Sequence, residues 1–201
     1  MKIPSKYIEN AVDQIASLPG IGRRTALRLV LQLMNRSQEE IEDFSNAFIL
    51  MKENVKKCSE CGNVSDVDTC SICANPARDR STVCVVEDIR DVLAIEATES
   101  FKGVYHVLDG IISPMDGIGP ADLNIEHLIE RVATGDVSEV IFALSATMEG
   151  DTTNFYIYKK LGSFNISIST LSRGVAIGSE LQYADEVTLS RSLINRQPFE
   201  V

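Results

Sequence analysis

Several features are missing from this chain of 201 residues, and each absence excludes a class of protein. No apolar run approaches the roughly 18 residues that a membrane span needs. The start, Met1-Lys2-Ile3-Pro4-Ser5-Lys6-Tyr7, lacks the charged-then-apolar order of a secretory signal. No Gly-x4-Gly-Lys-Ser/Thr run is present, which excludes an ATP-binding P-loop. There is no internal repeat and no low-complexity tract. Only two histidines occur, His106 in a strand-like run and His127 in a helical one, and on sequence grounds they form no site. The expectation is a cytoplasmic chain, free of membrane, whose thiols stay reduced. What is present is ordinary globular material, 44% hydrophobic and 24% charged. The length suffices for one large or two small domains.

The net charge is −10, which argues against a general nucleic-acid binder. Its distribution is uneven. Residues 1–57 sum to +2 and residues 58–201 to −12. The stretch 14–36 holds Arg23, Arg24, Arg28 and Arg36 and no acid. A local basic patch on an acidic protein can hold phosphates at one face while the rest repels nucleic acid.

Four of the five cysteines form two close pairs, Cys58-Ser-Glu-Cys61 and Cys70-Ser-Ile-Cys73. Two knuckles of this spacing can set four thiolates at the corners of a tetrahedron, which Zn²⁺ accepts. In a reducing compartment paired cysteines favour a metal over two disulfides, and two paired knuckles rarely arise by chance among four unliganded thiols. Four protein ligands leave no open position, so one structural zinc is expected, held by Cys58, Cys61, Cys70 and Cys73. Cys84, in the run Val83-Cys84-Val85-Val86, reads as a small buried hydrophobe.

The apolar pattern divides the chain. Ile8, Ala11, Val12 and Ile15 recur at helical spacing, as do Ala26, Leu29, Val30, Leu33 and Met34. Ser37 and Glu40 form a capping box that opens a third helix with Ile41, Phe44, Phe48 and Met51 on one face. From Val83 onward, strand-like runs at 83–87, 105–108, 140–145 and 166–170 alternate with helical runs at 88–96, 124–133 and 152–162. Such alternation implies βαβ units on a mostly parallel sheet. The segment 109–122 is a long Gly- and Pro-punctuated loop, apolar enough to pack.

Leu18-Pro19-Gly20-Ile21-Gly22 separates the first two helices. Gly20 and Gly22 permit a tight turn that exposes N–H groups at the next helix start, an anion site by geometry and dipole. Arg23 and Arg24 open that helix, and Arg28 lies one turn beyond Arg24 on the same face. A phosphate on the turn would be flanked by guanidinium groups, with no base read. Cations at a helix N-terminus oppose its dipole, so a purely structural joint leaves their placement unexplained.

The turn looks like the helix-hairpin-helix DNA-binding motif. With the cysteines, Val85-Val86-Glu87, Tyr105-His106-Val107-Leu108, Ser113-Pro114-Met115-Asp116-Gly117-Ile118-Gly119-Pro120 and Tyr183-Ala184-Asp185-Glu186, the chain resembles the RecR family of bacterial recombination-repair proteins. The resemblance runs from about residue 5 to about residue 196. It implies an α+β multi-module fold: a helical region with the hairpin over 1–56, a zinc finger over 57–79, a Toprim domain over 80–175 and a C-terminal assembly segment, strand and helix, over 176–201. It further implies a homo-oligomer, often a tetrameric ring, that binds single- and double-stranded DNA without sequence preference. Such a ring works with RecO and RecF to help load RecA on gapped single-stranded DNA, at the nucleoid. DNA contact carries over to Gly20, Gly22, Arg23, Arg24 and Arg28, and partner contact to Glu87 and Glu149. Arg23-Arg24 stands where the family usually has proline and lysine, and Asp109 where it commonly has glycine. Leu171-Ser172-Arg173 departs from the family's usual Thr-Arg stretch.

A catalytic Toprim domain needs a strand-end Glu and an Asp-x-Asp pair to hold Mg²⁺. Glu87 fits the first role, but Ser145-Ala146-Thr147-Met148-Glu149-Gly150-Asp151 contains no such pair. The expectation is therefore no catalytic residue and a non-enzymatic mediator. The competing reading is a metal-dependent nuclease or topoisomerase-like enzyme using Glu87, Glu149 and Asp151.

Overall fold

The computed structural model describes residues 3–198, which divide into two compact units that meet between Val55 and Lys56 in the sequence. In the first, α1 (Lys6–Ala16) and α2 (Arg23–Leu33) form a helical hairpin. They close a small core of Val12, Ala26 and Val30, with Ile8, Ile15, Ile21 and Leu27 at its margin. α3 (Gln38–Asn54) opens with the expected capping box: Glu40 N–H donates to Ser37 Oγ (3.2 Å) and Ser37 N–H to Glu40 Oε2 (2.8 Å). Its apolar face departs from expectation. Phe44, Phe48 and Met51 stay exposed, and no residue of α3 is buried. The reason is that α1 and α2 already satisfy each other. Leu29 and Met34 of the second apolar stripe are exposed for the same reason.

In the second unit, β1 (Lys56–Lys57) and β2 (Val64–Ser65) pair antiparallel beside the first cysteine knuckle. A four-stranded, wholly parallel sheet follows: β3 (Asp79–Val86), β4 (Gly103–Val107), β5 (Glu139–Phe142) and β6 (Ser167–Thr170), in the order β4-β3-β5-β6. The connecting helices are α4 (Ile89–Glu96), α5 (Ile125–Ala133) and α6 (Met148–Leu161). Alternation along β3 feeds two separate clusters. Val83 and Val85 join Leu108, Ile125, Leu128, Ile157 and Leu161, while Cys84 and Val86 join Val92, Tyr105 and Val107. Cys84 is buried as expected, and burial, then the Asp91 charge, pushes its thiol up to about 12.

Three boundaries differ from the sequence reading by three residues or more. β3 begins at Asp79, because the polar residues 79–82 pair along the sheet without an apolar signal. β5 stops at Phe142. α6 starts at Met148 because Thr147 caps it, its Oγ1 accepting from Gly150 N–H at 3.1 Å, whereas Gly150 reads locally as a breaker. The loop 109–122 does pack. Ile111, Ile112 and Ile118 lie on the larger cluster, and Ile112 N–H donates to Thr153 Oγ1 (2.9 Å). Beyond β6, α7 (Glu186–Ile194) forms under an Asp185 cap. No strand forms among the described residues 171–198, since this stretch finds no neighbouring backbone ladder and Ile177 is fully exposed. No helix among the described residues is long and apolar enough to cross a membrane.

Candidate metal centre and nucleic-acid interface

Each cysteine pair sits on a tight backbone knuckle. Gly62 N–H donates to Cys58 O (2.9 Å) and Cys58 N–H to Asn63 O (2.7 Å), while Ala74 N–H donates to Cys70 O (2.9 Å). Gly62 adopts φ +75°, and a Cβ there would meet Val107 O at 2.9 Å, so the first knuckle requires glycine. All four sulfurs are buried and lie within 4.8 Å of one another. Cys61 and Cys70 Sγ are 3.7 Å apart. A Zn–S bond of roughly 2.3 Å places tetrahedral sulfurs about 3.8 Å apart, so the spacing fits. Backbone donors reach two sulfurs: Cys70 N–H to Cys58 Sγ (3.3 Å) and Cys73 N–H to Cys70 Sγ (3.5 Å). The bond with Cys61, chiefly, holds the Cys73 thiol down to about 6, with help from the Arg131 charge. That same bond, with burial, pushes Cys61 up. None of the cysteines is bridged. The donor set is that of one structural zinc, and the metal would close both knuckles on each other.

The βα elements reach into this centre. Val107 N–H of β4 donates to Cys61 O (2.7 Å). Arg80 of β3 donates to Cys73 O (2.8 Å) and pairs with Glu60. Arg131 of α5 donates to Tyr105 O (2.8 Å) and Glu60 O (3.4 Å). Arg78, between knuckle and sheet, grips Glu96, whose Oε1 also accepts from Tyr105 OH (2.7 Å). No spacing rule reveals these ties. Their signal is only an arginine next to a knuckle or on the apolar helix that packs beside it.

In the hairpin, Gly20 adopts φ +79° and Gly22 caps α2 with ordinary dihedrals and no side-chain cap. A Cβ on either glycine would meet nothing within 4 Å. The three arginines differ. Arg23 pairs with Asp13 and, at 3.3 Å, with Glu9 of α1. The acid-free stretch in sequence is thus not acid-free in space. Arg24 and Arg28 make no ion pair among the described residues, and line a shallow cleft with Thr25, Leu27, Leu31 and Gln32.

Of the carboxylates singled out in the sequence, Glu149 and Asp151 share α6 and Glu87 lies outside it. Glu87 follows β3, half-buried, and burial, then Asp91 and Asp88, raise its carboxyl. Glu149 lies in the first turn of α6. Asp151 is held by Arg173 (2.6 Å) and more loosely by Arg191 (3.7 Å), which keep its carboxyl low, Arg173 foremost. Among the described residues the cysteine quartet is the only group of three or more metal-binding side chains. His106 is buried in β4, its Nε2 2.7 Å from Asn124 O, and His127 lies beside it with ring centroids 5.5 Å apart.

A DNA-hairpin module, a structural zinc centre and a parallel Toprim-type sheet together define a class of DNA-transaction protein. Family models match in the same order: the RecR helix-hairpin-helix over residues 8–50, the RecR four-cysteine zinc finger domain over 55–75, the Toprim domain over 81–172 and the RecR C-terminal region over 174–197. The Recombination protein RecR of Phocaeicola vulgatus is 60% identical over 196 residues, 98% of this chain and 96% of that protein. Those of Bacteroides thetaiotaomicron and Parabacteroides distasonis are each 58% identical, over 98% and 100% of this chain and 96% of their own length. The chain belongs to the RecR family, recombination proteins of DNA repair.

Proposed function

We propose that this protein is a non-enzymatic recombination mediator that binds DNA through the start of α2, as an oligomeric clamp, a tetrameric ring. It acts with RecO and RecF in the cytoplasm, at the nucleoid, to help load RecA on gapped single-stranded DNA. The observation that carries the DNA reading is the contrast within the arginine trio. Arg24 and Arg28 share one face one turn apart without a carboxylate partner among the described residues, beside a helix start that no side chain caps. Arg23 is engaged by Glu9 and Asp13 and serves mainly to fasten the hairpin. Gly20 and Gly22 leave open space where a phosphate would approach. One hairpin binds weakly, and several copies on a ring multiply the effective concentration. The exposed apolar face of α3 supports self-association. Glu87 and Glu149 are assigned to partner contact, where RecO would meet the ends of the sheet strands. Glu87, Glu149 and Asp151 do not form a group with metal-ligand spacing among the described residues, which favours this role over Mg²⁺ chemistry.

The test is fluorescence anisotropy with unrelated single- and double-stranded DNAs. Arg24→Glu together with Arg28→Glu should weaken all of them alike and flatten the salt slope by about one per arginine removed. Arg23→Gln should change the slope less. Unchanged affinity of the double variant at moderate salt would refute the assignment.

A further inference from the structure

Arg131 is a half-buried guanidinium with no carboxylate partner among the described residues. It donates instead to two carbonyl oxygens, Tyr105 O at 2.8 Å and Glu60 O at 3.4 Å. The acids around it are otherwise placed. Glu60 is taken by Arg80, and Glu130 and Asp136, which line the same cleft with His127, make no ion pair with it. Carbonyl dipoles alone seldom offset the desolvation of a cation. A compensating negative charge is therefore expected nearby. Four thiolates around one Zn²⁺ carry a net charge of about −2, and all four of these sulfurs are buried. Glu60, whose carbonyl Arg131 holds, is the residue next to Cys61. From these positions we infer that Arg131 is the internal counter-ion of the zinc tetrathiolate, and that α5 therefore helps to retain the metal. Arg80 shares the neighbourhood and the Cys73 carbonyl, but its charge is neutralised by Glu60. Arg131 is thus a positioning residue for the centre, acting by charge.

The experiment uses the zinc-loaded full chain and follows zinc release to a chromogenic chelator, with zinc content and thermal melting read in parallel. Arg131→Lys keeps the charge and Arg131→Gln keeps a donor for the carbonyls but removes the charge. Release should be faster by about tenfold or more in Arg131→Gln, the size of effect expected for an outer-shell partner, and close to wild type in Arg131→Lys. Wild-type release in Arg131→Gln would overturn the inference. Equal acceleration in both variants would overturn it too, since shape or hydrogen bonding would then matter and charge would not. Should Arg131→Gln fail to fold, Arg131→Lys decides: release near the wild-type rate supports a counter-ion, and acceleration of about tenfold refutes it.

Discussion

Two glycines two residues apart have different roles. Gly20 holds φ +79°, so Gly20→Ala should destabilise the hairpin unit by about 1 kcal/mol in urea unfolding. Gly22 has an ordinary φ of −75° and empty space around it, so the fold has no use for its missing side chain. Gly22→Asp supplies a good N-cap and should leave stability unchanged or slightly raised. It should nevertheless weaken DNA binding, by placing a carboxylate where the proposed interface would hold a phosphate. A variant that binds DNA normally would move the interface elsewhere. Asp109 shows the reverse case: it occupies a left-handed φ of +73° where glycine would be at ease, and its carboxylate is engaged by Lys57 of β1. His106 carries a pH dependence. Burial, chiefly, pushes its pKa down to about 4, below the roughly 6.5 of an unfolded chain. Between those values the unfolded state binds more protons, so stability is whole above about pH 6.5 and is lost as the pH falls toward 4, by up to about 3 kcal/mol. Wild type should therefore lose more stability from about pH 7 to pH 5 than His106→Leu. Equal slopes would assign the acid sensitivity to other groups.

At the scale of elements, the zinc knuckle extends the sheet edge. β4 is one of the two edge strands, fully buried, and its Val107 N–H donates to Cys61 O at 2.7 Å. The knuckle thereby covers an edge that would otherwise be open to pairing. Cys58→Ser should abolish stoichiometric zinc and lower stability by several kcal/mol, because metal binding is here folding free energy. The larger cluster around Val83, Leu128 and Ile157 contains no cysteine, so the parallel sheet should survive in circular dichroism. Wild-type melting with all of Cys58, Cys61, Cys70 and Cys73 replaced would defeat the structural assignment.

At the scale of the whole chain, the proposed mediator role requires an acidic protein to meet DNA through the acid-free stretch 14–36, with several copies acting together. α3 supplies an apolar face that its own unit leaves uncovered, with Phe44 and Phe48 edge to face at 5.1 Å. Phe48→Glu should reduce the particle mass measured by light scattering while helicity is kept, and an unchanged mass would place self-association on another surface. Labelled DNA incubated with the protein and Mg²⁺ or Mn²⁺ should remain intact. Cleavage that disappears in Glu87→Gln would transfer the protein to the nuclease reading.

The elements and the metal site were legible in the sequence because their determinants are local. Two Cys-x-x-Cys knuckles, the Ser37–Glu40 capping box and the alternation Val83-Cys84-Val85-Val86 each state their geometry within a few residues. Polar strand residues such as 79–82 and the Thr147 cap carried too little apolar signal to set boundaries. Charge pairing was not legible at all, since it depends on separations through space. Arg23 meets Glu9 and Asp13 on the neighbouring helix, Asp151 is claimed by Arg173 and Arg191, and Arg131 reaches the backbone of Glu60. Only the tertiary structure decided which arginines are already paired and which remain for a ligand. Likewise it decided that α3, amphipathic in pattern, has nothing in its own unit to bury it, because α1 and α2 enclose their few apolar residues between themselves.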